Sequence, residues 1–341
     1  MMPSALAPPD GVTGTLDETR RWMRPAMQEA VERLHPVPRL ISGFTLGWPT
    51  DGGRPRTGTG GKGVRPALAG LAAASAGGRA EDAAPGAAAV EFVHAFSLVH
   101  DDIMDGDELR RHRQTAWKAY GIGPAVLAGD GLLALALDTL AQSGNTAALL
   151  RLTSVLVELV NGQAADTDFE GRPWSGPGAV TVEEYRAMAV GKTGSLLGCA
   201  ASVGWLLGGG DREGAERMDR MGRHLGLAFQ AVDDLLGIWG EPEVTGKAVH
   251  NDLRRGKKSL PVVAALRSGD EELVRLLEAR PAKEDEALRA ALLIERAGGR
   301  AYAEQTAERE TAAALAIIEE IGGPRRDDLA ALARYVVARR V

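Results

Sequence analysis

The chain of 341 residues has one cysteine, Cys199, and only 4% aromatic residues. A single thiol cannot build a disulfide framework or a thiolate metal site, and it fits a reducing, cytoplasmic setting. With so few rings, the core must be assembled from Ala, Leu and Val, and Ala and Leu are strong helix formers. A basic excess is missing too. Lys and Arg number 40 against 46 Asp and Glu, a net charge of −6, which argues against the basic surface of a nucleic-acid binder. No uninterrupted apolar run reaches the roughly 18 residues expected of a membrane span. The stretch from Met1 to Thr13 lacks the basic-then-apolar profile of a signal peptide. Strand-like alternation of Val, Ile and Thr is absent, as is any short-period repeat.

What remains is a helical pattern. Hydrophobic residues make up 45% and charged residues 25%, the balance of a globular protein. Residues 1–16 read as a disordered tail and 17–341 as a single all-α domain. Helical spacing starts near Leu16 and runs to about Leu34, with Pro25 expected to kink or break it. Residues 36–63 are loop-rich, and helices are predicted over 64–76, 83–105, 116–142 and 145–168. Gly171 to Gly178 form a connector, and Thr181 with Glu184 makes a capping box for the next helix. Gly191 and Gly194 bracket Lys192 and Thr193 in that helix. At about 1 kcal/mol each relative to Ala, these glycines predict a break that would free N–H groups for an anion. A helix over 212–239, a polar loop over 240–257 and four or five further helices complete the chain.

Two acidic segments, Asp101-Asp102-Ile103-Met104-Asp105 and Asp233-Asp234-Leu235-Leu236-Gly237, each close an apolar helical run. Such acids ordinarily mark a solvated helix face, but these end apolar helices instead of decorating polar ones. Asp101 and Asp105 point the same way, and His94 lies within about 40° of them on a helical wheel. Stacked carboxylates repel unless a cation sits between them. Two such faces across a cavity could hold hard divalent ions, and an ion cluster suits a diphosphate. An acidic protein that binds an anion also needs local cations. Arg110 and Arg111 follow the first segment, and an Arg fork matches phosphate oxygens. Lys62 and Arg65 follow Gly60-Gly61 at a helix start, where backbone N–H groups are free. Lys192, Lys247 and Lys257 say little one at a time.

Taken in order, these segments are far more specific. Gly60-Gly61-Lys62-x-x-Arg65-Pro66 comes first, then His94, Ser97-Leu98-x-His100-Asp101-Asp102-x-x-Asp105 and Leu109-Arg110-Arg111. Gly129-Asp130, Gly162-Gln163-x-x-Asp166 and Lys192-Thr193 follow. Phe229-Gln230-x-x-Asp233-Asp234, Gly246-Lys247, Asp252-Leu253 and Gly256-Lys257-Lys258-Ser259-Leu260-Pro261 close the series. From about residue 30 to the C-terminus, the chain resembles the trans-isoprenyl diphosphate synthase (polyprenyl synthetase) family. The resemblance implies an all-α, isoprenoid synthase-type bundle of about a dozen helices around a deep central cavity, a homodimer, and three Mg²⁺ ions with substrate bound. Asp101 and Asp105 would bind two of the ions, with Asp102 in support. Asp233 would bind the third, with Asp234 acting through water. Arg110, Lys192, Lys247 and Lys257 would hold an allylic diphosphate. Lys62, Arg65, His94 and Arg111 would hold isopentenyl diphosphate, and Thr193 and Gln230 would line the cavity near the reacting carbons. The implied activity is head-to-tail prenyl transfer giving a medium-chain product, geranylgeranyl diphosphate. A terpene cyclase-like enzyme on the same fold and a non-catalytic regulatory subunit are the alternatives.

Three positions depart from the pattern. Gly237 stands where the second motif usually ends in Asp, Gly63 replaces a common basic residue, and Gly246-Lys247 lacks a following Pro. Phe96, five residues before Asp101, with the small Ser97 beside it and no insertion between Asp102 and Asp105, resembles a synthase that stops near twenty carbons.

Overall fold

Helix α1 (Asp10–Glu32) begins six residues ahead of the sequence expectation, because Val12, Leu16, Met23, Met27 and Val31 form one continuous buried stripe. The expected disordered tail over 1–16 is therefore corrected for residues 10–16. Pro25 lies inside α1 on its exposed face and does not end it. The carbonyl that Pro25 leaves unbonded one turn earlier is open to water there. The computed structural model describes residues 10–48, 63–110, 113–241, 249–281 and 283–338.

A second correction falls on the loop-rich reading of 36–63, since α2 (Pro36–Thr45) is helical. Pro36 occupies the first helical turn, where its missing N–H costs nothing. Helices α3 (Val64–Ser75) and α4 (Ala84–Met104) follow as predicted, but the helix expected over 116–142 is broken at Gly121, φ 90°, into α5 (Ala116–Tyr120) and α6 (Ile122–Gln142). Helix α7 (Thr146–Gly171) is again as predicted. Between α4 and α5, the two-residue strands β1 (Leu109–Arg110) and β2 (Arg113–Gln114) pair antiparallel, with Arg110 opposite Arg113.

Thr181 and Glu184 cap α8 (Val182–Ala189) reciprocally, as expected. The expected break at 191–194 is instead a π-helical turn (Val190–Gly194) that runs unbroken into α9 (Ser195–Leu207). Backbone hydrogen bonding is stretched there without being lost. Helix α10 (Arg212–Trp239) is followed by α11 (Asn251–Arg255), α12 (Leu260–Leu266), α13 (Glu271–Glu278), α14 (Glu284–Arg296), α15 (Gly299–Ile321) and α16 (Arg326–Val337).

The core is built mainly from Ala, Leu, Val and Met, as the shortage of aromatics requires. Its largest cluster draws on α1, α3, α4, α6, α7, α9, α10, α15 and α16. Helix α9 is buried all round from Ser195 to Gly204. It can sit that deep because it meets α10 along glycines: a Cβ on Gly222 would lie 2.5 Å from Gly198 N, and one on Gly226 2.4 Å from Gly194 Cα. Helix α6 is long and apolar enough to cross a membrane by length and composition alone, although Asp130 and Asp138 interrupt its apolar run. In the fold it packs on α4, α2 and α7, burying Leu132, Leu135, Ala136 and Leu140.

Candidate active site

Helix α4 is apolar until its last turns, where Asp101 stays partly open, Asp102 turns inward and Asp105 lies exposed at the cap. Burial pushes the Asp101 carboxyl up to about 6, against the pull of Lys192, while Asp105 adds repulsion. A carboxylate in that position lacks sufficient positive charge around it. Asp102 is 5% exposed, and Arg110 on β1 places Nε 2.8 Å and Nη2 2.7 Å from its Oδ1. The guanidinium that sequence reasoning gives to substrate is thus engaged, along one edge, in fixing Asp102.

The π-turn supplies the next wall. Lys192 Nζ lies 2.5 Å from Asp166 Oδ2 on α7, and both groups act on Asp101. This approach depends on Gly162, because a Cβ there would lie 2.3 Å from Lys192 N. Thr193 Oγ1 donates to Gln230 Oε1 at 3.0 Å, and Gln230 Nε2 donates to Asp234 Oδ1 at 3.0 Å. Asp234 is 5% exposed, and its Oδ2 accepts from Tyr185 OH and, at 2.7 Å, from the Leu260 backbone N–H. Burial pushes its carboxyl up to about 7 even so. Both oxygens of Asp234, which is expected to support an ion through water, accept hydrogen bonds inside the protein, where they join α8, α10 and α12. Asp233, one residue earlier on α10, is exposed.

The two acidic segments meet in one basin. Arg255 Nη1, at the end of α11, lies 2.8 Å from Asp107 Oδ1 in the loop after α4. Lys257 is drawn by Asp252, Asp166 and Asp105, and these acids raise its pKa despite burial. Tyr185 feels Asp234, Asp166 and Asp233 together. Asp166 is thus within electrostatic reach of Asp101, Lys257 and Tyr185, and Tyr185 also feels Asp233, so the two acidic segments lie near one another. A second group lies at the start of α3. Arg65 buries Nε without a hydrogen-bond partner among the described residues, and burial lowers its pKa against the attraction of Glu91. His94 is one turn beyond Glu91 on α4. Lys62, Arg111 and Lys247 lie outside the described residues.

Sequence reasoning missed Tyr185, Arg255 and Asp107. Tyr185 reads as an ordinary core ring until its hydroxyl is seen on a buried carboxylate. Asp107 lies in a loop and Arg255 ends α11; their pairing spans 148 positions, from 107 to 255, and no local signal marks it.

Among the described residues, no three His, Cys, Asp or Glu side chains converge closely enough to hold a metal ion by themselves. The donors near both acidic segments are all hard oxygens, and Asp101, partly buried beside Asp105 and Asp166, has its carboxyl pushed up by burial. That set fits Mg²⁺, which takes one or two carboxylates and fills its remaining positions with water and substrate phosphate. A groove of about 590 Å³ lies elsewhere, under Val232 and Leu235 on the side of α10 away from Asp233, and is walled by Arg300, Glu304 and Glu308 of α15.

A helical bundle with acids and cations at a common basin defines an isoprenoid synthase-type architecture, and comparison with known proteins agrees. Residues 55–294 match the Polyprenyl synthetase family model. A (2E,6E)-farnesyl diphosphate synthase of Mycobacterium tuberculosis is 44% identical over 327 residues, covering 92% of this chain and 90% of the relative. A geranylgeranyl diphosphate synthase of the same species is 41% identical over 340 residues, covering 97% and 95%. The crystal structure of a polyprenyl synthetase from Streptomyces coelicolor superposes with a TM-score of 0.87 at 44% identity, covering 96% of this chain and 100% of that one. The chain belongs to the polyprenyl synthetase family, and it is a prenyltransferase.

Proposed function

We propose that the protein joins isopentenyl diphosphate to an allylic diphosphate, head to tail and in the trans sense, with three Mg²⁺ ions. The product we assign is geranylgeranyl diphosphate. The observation that carries this reading is the shared basin, where two acid-bearing helices and the cations of the π-turn and the α11–α12 segment converge. Mg²⁺ held by Asp101, Asp105 and Asp233 would neutralise the diphosphate as it leaves the allylic carbon. Lys192 and Lys257 supply fixed positive charge at the same place, where it favours the transition state over the bound substrate. Arg65 and His94 would take the second diphosphate, a role that the unpartnered buried Nε of Arg65 supports. Thr193 and Gln230, locked to each other and to Asp234, present a rigid wall to the reacting carbons. The released diphosphate can accept the final proton, so no dedicated base is needed.

Chain length is assigned from α4. The Phe96 ring sits 4.6 Å from the His100 ring, and His100 fills the space a side chain on Gly129 would need, so this pair braces α4 against α6. The relatives include synthases named for both the farnesyl and the geranylgeranyl product, and the single aromatic beside the small Ser97 favours the longer one.

We also assign a homodimer. Leu150, Val157 and Val160 line one stripe of α7, and Ile122 and Leu127 lie on neighbouring α6; all five are 57 to 64% exposed. A second copy would cover this apolar surface. Cys199 is buried and free, in keeping with a cytoplasmic enzyme.

Purified protein supplied with Mg²⁺, isopentenyl diphosphate and allylic starters of three lengths should yield a twenty-carbon product after dephosphorylation and chromatography. Asp101→Ala or Asp233→Ala should lower turnover roughly 10²–10³-fold with the helical circular-dichroism signal unchanged. Phe96→Ala should lengthen the product. No condensation product from wild type would overturn the activity, and unchanged chain length in Phe96→Ala would overturn the role of that ring.

A further inference from the structure

Gly237 lies one turn after Asp233 on α10, on the same face, where a carboxylate would complete the second acidic motif. Its place is not empty. Asp252 Oδ2, on α11, lies 2.0 Å from where a Cβ on residue 237 would stand, and Asp252 Cγ lies 2.5 Å from it. Any side chain at 237, even a methyl group, would have to displace this carboxylate. The segment that delivers Asp252 is itself anchored. His250 is buried, adopts φ 60°, donates its backbone N–H to Ile238 O at 3.1 Å and sets Nδ1 3.2 Å from Glu284 Oε1. Downstream, the Lys257 N–H donates to Asp252 O at 2.9 Å, and Arg255 bridges to Asp107. The Asp252 carboxylate thus stands beside the face of α10 that carries Asp233, and it acts on Lys257 and Asp234.

We propose that Asp252 supplies the carboxylate that residue 237 lacks, and that Gly237 is required because only a residue without a side chain admits it to the ion held at Asp233. The acidic motif is then complete in space though incomplete in sequence, with its last carboxylate contributed by the following helix. A hard divalent ion at Asp233 would gain an oxygen partner, directly or through one of its waters. This inference rests on the prenyl diphosphate synthase reading.

The test uses the full chain and methylene diphosphonate, a diphosphate mimic, titrated by calorimetry at a series of Mg²⁺ concentrations. The slope of log affinity against log Mg²⁺ counts the ions taken up with the ligand. Asp252→Asn should bind the mimic about 10-fold more weakly or worse, with the slope reduced by about one ion. Gly237→Ala, which leaves every carboxylate in the sequence, should show the same loss because its methyl group displaces Asp252. The double variant Gly237→Asp with Asp252→Gly returns a carboxylate to the same space from the other helix and should recover most of the affinity and the slope. If wild type binds the mimic without Mg²⁺ dependence, the functional reading itself fails. If wild type depends on Mg²⁺ while Gly237→Ala and Asp252→Asn keep its slope and affinity within two-fold, Asp252 has no part in ion binding. Should Asp252→Asn lose its circular-dichroism signal, Gly237→Ala and the double variant decide by the same criteria.

Discussion

In each acidic segment, the first aspartate faces the basin and the second serves the protein. Asp102 is pinned by Arg110, and Asp234 by Tyr185, Gln230 and the Leu260 N–H. The sequence shows two Asp-Asp pairs and cannot rank their members, because neighbours on a helix differ only by a 100° turn whose direction the packing sets. The structure ranks them by burial. Tyr185→Phe should therefore cost about 1–3 kcal/mol in guanidinium unfolding, the penalty for removing one of the three donors to a buried carboxylate. Asp233→Asn, at an exposed position, should stay within about 0.5 kcal/mol of wild type. Equal losses in the two variants would contradict the division.

Helices were legible in the sequence where caps and apolar spacing agreed. Helix α10 matches its expected span of 212–239 because Asp211 caps its start and Gly240 follows its end. Misreadings came where a proline or a glycine outweighed burial. Pro25 and Pro36 are accommodated by exposure and by position in the first turn, and Gly191 and Gly194 serve close packing with a π-turn in place of a break. Buried charge also joins elements that sequence leaves unrelated. Glu310 on α15 is 4% exposed, with Arg186 Nη2 on α8 at 2.8 Å and His224 Nδ1 on α10 at 2.7 Å. Burial pushes its carboxyl up, but the hydrogen bonds from His224 and Arg186 outweigh that and hold it at about 2. A carboxyl held below its unfolded value, 4.5, stabilises the fold above about pH 4.5, and that contribution fades as pH falls toward 2. Glu310→Gln should thus be less stable than wild type by roughly 2 kcal/mol at pH 7. In denaturant unfolding the gap should narrow steadily below about pH 4.5, and a gap independent of pH would show that the loss is one of packing alone.

At the scale of the whole molecule, the exposed apolar stripe on α6 and α7 is where the proposed dimer is tested. Val157→Glu places a charge in its middle without touching the basin. Light scattering should then report half the wild-type mass at micromolar concentration, with the helical signal retained. An unchanged mass would move the interface elsewhere.

The sequence by itself determined the helical class, the order of the motifs, the placement of the acids at the ends of apolar helices, and the family. Those properties are local, or follow chain order, and can be read from spacing and composition. Tertiary structure alone decided which carboxylates open on the basin, that Arg110 braces Asp102, that Arg255 reaches Asp107, and that Asp252 occupies the space at Gly237. Each depends on how side chains are packed in three dimensions, across eight residues for Arg110 and Asp102 and across 148 for Arg255 and Asp107, and no residue pattern encodes that one position at a time.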